Sequence, residues 1–188
     1  MKQNHDVYLF GQVLGTHSFL LKGGFLQPDE YSEIAEQYFL PGGETGTAAT
    51  VLSSLGVSVR MDGTWIGTEV ATMLKDFYAD KSVDLSSLHF TEDKGVMDYV
   101  VIAGLVRSPM GRFQTLFSTG KRWWSIPKEE DIAGCVYGLL HGMKDEDLVR
   151  FASACSAIAI SRFPLPLNPP KPEEVQELIK NGVQNAPE

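Results

Sequence analysis

The sequence has only two cysteines and few basic residues for its length of 188 residues. Two cysteines cannot build a disulfide scaffold or a four-cysteine metal site. With 16 Lys and Arg against 24 Asp and Glu, the formal net charge is −8. An acidic balance opposes non-specific binding to nucleic acid or to anionic membranes. We therefore expect neither nucleic acid nor a membrane as a partner.

The sequence also lacks long apolar runs. No stretch approaches the ~20 apolar residues that a membrane-spanning helix needs. Polar residues interrupt the first dozen positions, where a signal peptide would have its apolar region. Hydrophobic residues still make up 43% of the chain, enough for one buried core at this length. These features predict a cytoplasmic globular protein with a single domain over residues 1–188.

Strand-like and helix-like segments alternate in the first half of the sequence. The β-rich residues 6–14 precede a small-residue helix predicted over 46–56, with Gly56 as its stop. A short strand over 57–61 and a helix from about Gly67 to Ala79 follow. This alternation predicts an α/β layer with parallel strands.

The second half of the sequence changes character. Two β-rich runs, within about 96–118, flank a Ser-Pro-Met-Gly turn and predict a β-hairpin. From about 134 to 182 the pattern is helical. Asp145 is predicted to cap one of these helices, and Pro172 to begin the last one.

The segment Gly42-Gly43-Glu44-Thr45-Gly46-Thr47 is the most informative motif. Glycines let the backbone come close to a ligand, and the helix that follows directs its free N–H groups and positive dipole end into the same space. The Thr47 hydroxyl suits a polyol. The alternative is structural, a loop that needs positive φ before a tightly packed helix. Both explanations stay open on the spacing alone.

Taken in order, these segments resemble the PfkB (ribokinase-like) carbohydrate kinase family. The resemblance rests on the opening strand with Gly11, on Gly42-Gly43 before an Ala-rich helix, on the Gly63-to-Gly67 element, and on residues 134–162 and 172–180. It implies an α/β fold, a ribokinase-like layered sheet with flanking helices and a small β lid, in shortened form. The lid is the hairpin at about 96–118.

The resemblance also implies a chemistry. The family carries out ATP-dependent phosphorylation of a sugar or nucleoside hydroxyl, so ATP and Mg²⁺ are the implied cofactors. By this resemblance the substrate-binding residues are Thr16, Gly42, Gly43 and Thr47. Thr16 aligns with an aspartate of the family and Thr47 with an asparagine. A homodimer formed through the lid is implied as well.

Two elements of the family have no counterpart in the sequence, the central nucleotide-binding block and the Gly-Ala-Gly-Asp motif with its catalytic base. The base position falls on Glu129 without a gap and on Asp131 with a two-residue gap, and neither follows a Gly-Ala-Gly turn. No catalytic residue is assigned, and the four histidines lack metal-ligand spacing, so no metal ligand is assigned either. Two functions remain open: a sugar kinase, or a non-catalytic sugar-binding or dimerisation protein derived from one.

Overall fold

A computed structural model describes residues 4–22, 31–63, 66–90, 92, 100–107, 113–115 and 129–181. In these ranges the strands are β1 (Val7–Gly11), β2 (Leu14–Leu21), β3 (Ile34–Gly42), β4 (Val59–Gly63), β5 (Val83–Asp84), β6 (Val100–Arg107) and β7 (Phe113–Thr115). The helices are α1 (Gly43–Ser54), α2 (Thr68–Tyr78), α3 (Glu129–Leu140), α4 (Asp145–Ile160) and α5 (Pro172–Asn181).

The first sheet has the order β1-β4-β5, and all its pairings are parallel. Residues of α1, α2 and β4 share one buried core, so both helices cover the same face of this sheet. That face supplies the core, in which residues from α1, β4 and α2 are fully buried: Val51, Leu52, Val59, Met61 and Leu74. The predicted parallel α/β layer is confirmed.

The opposite face of this sheet has a different character. Side chains alternate along a strand, so Tyr8 and Phe10 point away from the helices while Val7 and Leu9 pack against the core. Tyr8 is 56% exposed and Phe10 is 76% exposed.

The second sheet has the order β3-β2-β6-β7. Strand β2 pairs antiparallel with β3 and parallel with β6, and β6 pairs antiparallel with β7. β6 and β7, which lie within the two runs predicted to form a hairpin, pair antiparallel; residues 96–99, 108–112 and 116–118 of those runs and their turn lie outside the described residues. Strand β2 was not predicted, because its Gly-Thr-His-Ser start is typical of a loop.

The boundary between β3 and α1 corrects a prediction. The helix starts at Gly43 rather than at 46, and Gly42 is the last residue of β3. The Gly42-Gly43 pair is thus a direct strand-to-helix junction and not a loop. Gly43 has φ +77°, which glycine adopts readily and which allows the chain to turn within one residue.

The other helix ends agree with their sequence signals, with one exception. Gly56 follows α1 with φ +84°, and Pro172 begins α5, both as predicted. The exception is Asp145, which is the first residue of α4, because Lys144 occupies the cap position. The carboxylates of Asp145, Glu146 and Asp147 instead lie in the first turn, where they interact favourably with the positive end of the helix dipole.

The carboxy-terminal helices pack closely on α1 and on one another. A Cβ on Gly134 of α3 would lie 2.7 Å from the Ala152 Cα of α4, so only glycine permits this approach. Arg162, after α4, donates two hydrogen bonds to the Glu174 carboxylate of α5, at 2.8 and 3.2 Å. Within the described ranges, no helix has the length and apolar character to cross a membrane.

Candidate functional site

The neighbouring strands β2 and β3 bring Thr16 and Gly42 together. Thr16 pairs with Leu40, two residues before Gly42, so both residues lie on one face of the sheet. A Cβ built on Gly42 would lie 2.0 Å from Thr16 Oγ1 and 3.1 Å from Thr16 Cβ. The Thr16 hydroxyl therefore rests directly on the Gly42 backbone, and a side chain at position 42 would displace it.

The first turn of α1 is anchored to the loop between β1 and β2. The Thr45 N–H donates to the Gln12 carbonyl at 3.1 Å, and a Cβ on Gly43 would lie 2.6 Å from that same oxygen. Thr47 is half-buried and four residues after Gly43, which places the two on one side of the helix. Thr16, Gly42, Gly43 and Thr47 thus surround the strand-to-helix junction.

The carboxyl ends of β1 and β4 meet beside this junction. Gly63, with φ +149°, pairs with Gly11, and a Cβ on Gly63 would lie 1.8 Å from the Gly11 carbonyl oxygen. Thr45 Oγ1 is 2.7 Å from where a Cβ on Gly11 would stand. Thr45 was not predicted as a site residue; its hydroxyl within the Gly-Gly motif was the available signal.

The charge at the amino end of α1 determines which ligands suit it. A helix amino terminus with free N–H groups favours anions. Here the exposed Glu44 carboxylate lies in the first turn, and the Thr45 N–H is already bonded to Gln12. This helix end therefore suits a neutral hydroxyl better than a phosphate.

Asp62 adds a carboxylate at the carboxyl end of β4. The Tyr8 hydroxyl donates to Asp62 Oδ2, and the Gly63 N–H donates to Oδ1 at 2.7 Å. The hydrogen bond from Tyr8, joined by that from Gly63, lowers the pKa of Asp62 below its usual range. Asp62 is therefore ionised at neutral pH. No role for Asp62 was predicted from the sequence, since one carboxylate near a strand end is a weak signal.

A buried polar network holds α1 against α2. The hydroxyls of Thr50 and Tyr78 each lie 2.9 Å from the Gly46 carbonyl oxygen and 2.9 Å from one another. Burial raises the pKa of Tyr78, so the phenol stays neutral. This network fixes the orientation of the helix whose first turn forms the junction.

A separate open groove of about 840 Å³ lies between β3 and α2. It is lined by Phe39, Thr68, Glu69, Thr72, Met73, Asp76 and Phe77. Alternation along β3 puts Phe39 on the face opposite Gly42. The groove and the junction around Thr16 therefore lie on opposite faces of the second sheet.

The described residues contain no set of three His, Cys, Asp or Glu side chains that would hold a metal ion. Glu129 and Asp131, the two alternative base positions, are in the first turn of α3. Their side chains lie outside the described part of the structure.

Comparison with solved structures identifies the fold as ribokinase-like. The nucleoside kinase of Methanocaldococcus jannaschii, an archaeal ribokinase-family member, matches with a TM-score of 0.62 at 11% identity, over 93% of this chain and 97% of that one. The Arabidopsis thaliana ribokinase in complex with ribose and ATP matches at 0.60 and 9% identity, over 95% and 99%. The Burkholderia thailandensis nucleoside kinase bound to inosine matches at 0.61 and 12% identity, over 96% and 100%.

The other two comparisons found no relative. No family model matches the sequence, and no curated protein matches it either. The likeness therefore concerns the fold, and the expected ribokinase-like α/β class is confirmed at that level.

Proposed function

We propose that this chain is a ribokinase-like protein that binds a sugar or a nucleoside at the junction of β3 and α1. The observation that carries the proposal is the contact of the half-buried Thr16 with the buried Gly42, which holds the Thr16 hydroxyl at the junction. Thr47 supplies a second hydroxyl on the same side of α1. Hydroxyl and backbone groups both donate and accept hydrogen bonds, which matches the ligand's own hydroxyls.

The fold supports this ligand class. Solved neighbours of the same fold hold ribose in one case and inosine in another. The charge at the junction agrees, because Glu44 in the first turn of α1 disfavours anionic ligands and leaves neutral polyols acceptable.

Phosphoryl transfer from ATP to a bound hydroxyl is the activity that the ribokinase-like fold suggests. Such a transfer depends on groups that hold the phosphates and on a base for the accepting hydroxyl. The phosphates of ATP do not fit the amino end of α1, where Glu44 is acidic and the Thr45 N–H is bonded. The sequence contains no Gly-Ala-Gly-Asp segment.

The missing Gly-Ala-Gly-Asp segment favours a second candidate, a non-catalytic protein that keeps sugar binding without phosphoryl transfer. Both candidates use the same site, so turnover separates them. The cytoplasmic location and the lid homodimer stay predictions under either candidate.

Binding is tested by isothermal titration calorimetry of the full chain with ribose, fructose and inosine. Thr16→Val preserves the shape of the side chain and removes its hydroxyl. We expect about three- to tenfold weaker binding, because one neutral hydrogen bond contributes about 0.5–1.5 kcal/mol. Thr72→Val is the matched control, since Thr72 is exposed in the β3–α2 groove on the other face.

The outcomes distinguish the alternatives clearly. Loss of affinity in Thr16→Val with no change in Thr72→Val supports the junction site. The reverse pattern moves the ligand to the groove, and no heat with any sugar or nucleoside refutes sugar binding. For the ligand that binds, release of ADP from MgATP establishes the kinase, whereas binding without release establishes the non-catalytic protein.

A further inference from the structure

The outer edge of β1 is open among the residues that the structure describes. Among the described residues, β1 has a strand neighbour on one side only, which is β4. Its sequence, Val-Tyr-Leu-Phe-Gly, has no charge and no proline. Natural proteins usually protect an exposed edge with charged residues, prolines or a β-bulge, because an open row of N–H and C=O groups recruits another strand.

The face beside this edge is also uncovered. Tyr8 and Phe10 are 56% and 76% exposed, and they lie next to one another on the side away from α1 and α2. Parallel sheets in α/β proteins are normally covered on both faces. We refer to the β1 edge together with Tyr8 and Phe10 as the β1 surface.

We propose that the β1 surface is a homodimer interface, in which β1 pairs antiparallel with β1 of a second copy of this chain. The pairing is centred on Leu9, the middle residue of the strand, because that register pairs all five residues. It joins the two three-stranded sheets into one six-stranded sheet. This proposal is independent of the ligand and of any kinase activity.

The directions of the backbone groups suit this register. The Val7 N–H donates to the Ser58 carbonyl just before β4, so alternation along the strand turns the amide groups of Tyr8 and Phe10 to the open edge. In an antiparallel pair centred on Leu9, Tyr8 lies opposite Phe10 of the second copy. Outward-facing residues in that position exchange both N–H···O=C bonds, which makes four hydrogen bonds across the dimer axis.

The charge pattern is self-complementary in the same register. Within one chain, Tyr8 pairs with Arg60 and Phe10 pairs with Asp62 across β1 and β4. Across the dimer, each row of side chains would run from Arg60 through two aromatic rings to Asp62 of the second copy. No like charges meet, and an aromatic pair occupies the centre of each row, an arrangement that stabilises antiparallel strands.

The test is the mass of the full chain in solution, measured by size-exclusion chromatography with light scattering. We expect the unmodified protein at twice the chain mass of 20.7 kDa. Phe10→Lys and Tyr8→Glu each remove one ring of the central aromatic pair and replace it with a charge whose partner, Asp62 or Arg60, lies on its own chain, so each alone should be monomeric. An equimolar mixture should return to the dimer mass, because the glutamate at position 8 then faces the lysine at position 10.

The control variant for this test is Tyr8→Phe, which keeps the aromatic ring and should stay dimeric. Circular dichroism reports whether each variant folds; should Phe10→Lys unfold, the neutral variant Phe10→Ser, also expected to be monomeric, replaces it. An unmodified protein that is monomeric at high concentration overturns the proposal. Single variants that remain dimeric also overturn it and assign the dimer to another surface, such as the predicted lid.

Discussion

The contact between Gly42 and Thr16 allows a quantitative test of how the site is built. In Gly42→Ala the new Cβ would stand 2.0 Å from Thr16 Oγ1 and 3.1 Å from Thr16 Cβ. Rotating Thr16 relieves the first contact at about 0.5–1.5 kcal/mol. The second contact remains and adds an overpacking cost of about 1–3 kcal/mol. We expect Gly42→Ala to lower the free energy of unfolding by about 2–3 kcal/mol.

A double-mutant cycle attributes this cost to the contact. Adding Thr16→Ala to Gly42→Ala should recover about 1 kcal/mol, because the displaced hydroxyl is gone. Urea denaturation followed by circular dichroism measures all four proteins. Gly46→Ala is the control; its Cβ would meet nothing closer than 3.8 Å, so it should stabilise α1 by about 0.5–1 kcal/mol. The energetic coupling between Thr16 and Gly42 is refuted if the changes in unfolding free energy of the two single variants sum to that of the double variant within about 0.3 kcal/mol.

Three further predictions concern stability. Gly63→Ala would place a Cβ 1.8 Å from the Gly11 carbonyl and should prevent a cooperative urea transition, since a backbone atom cannot rotate away. Tyr78→Phe should cost about 1 kcal/mol in the same assay, the typical net value of one buried hydrogen bond. The hydrogen bonds from Arg162 lower the pKa of Glu174. Stability from this pair is therefore present above the unfolded carboxyl pKa and is lost as pH falls through the lower folded value. Thermal melts between pH 7 and 3 should show a smaller acid loss in Glu174→Gln than in the unmodified protein, and equal losses would contradict the assignment.

Local patterns predicted much of the α/β layer. The alternation of apolar residues and the positions of Gly56 and Pro172 act within one or two turns of the chain, so they can be identified without tertiary information. The parallel pairing of the first strands also follows from such local signals, because strands separated by helices pair in parallel.

The second sheet was less predictable. Strand β2 starts at Leu14 and continues with Gly15, which has low strand propensity by itself. It becomes a strand because β3 and β6 satisfy its backbone hydrogen bonds on both sides. Strand propensity depends strongly on such neighbours, and no window of sequence contains them.

The sequence alone determined which segments are helical, that the first strands are parallel, and that Gly42 and Gly43 have a special backbone role. These properties depend on residue type and short-range spacing. The tertiary structure decided that Thr16 lies against Gly42, that the β3–α2 groove is on the other face, and that Tyr8 and Phe10 are left exposed. These properties depend on strand pairing and on which face the helices cover, and both bring together residues that are distant in the chain.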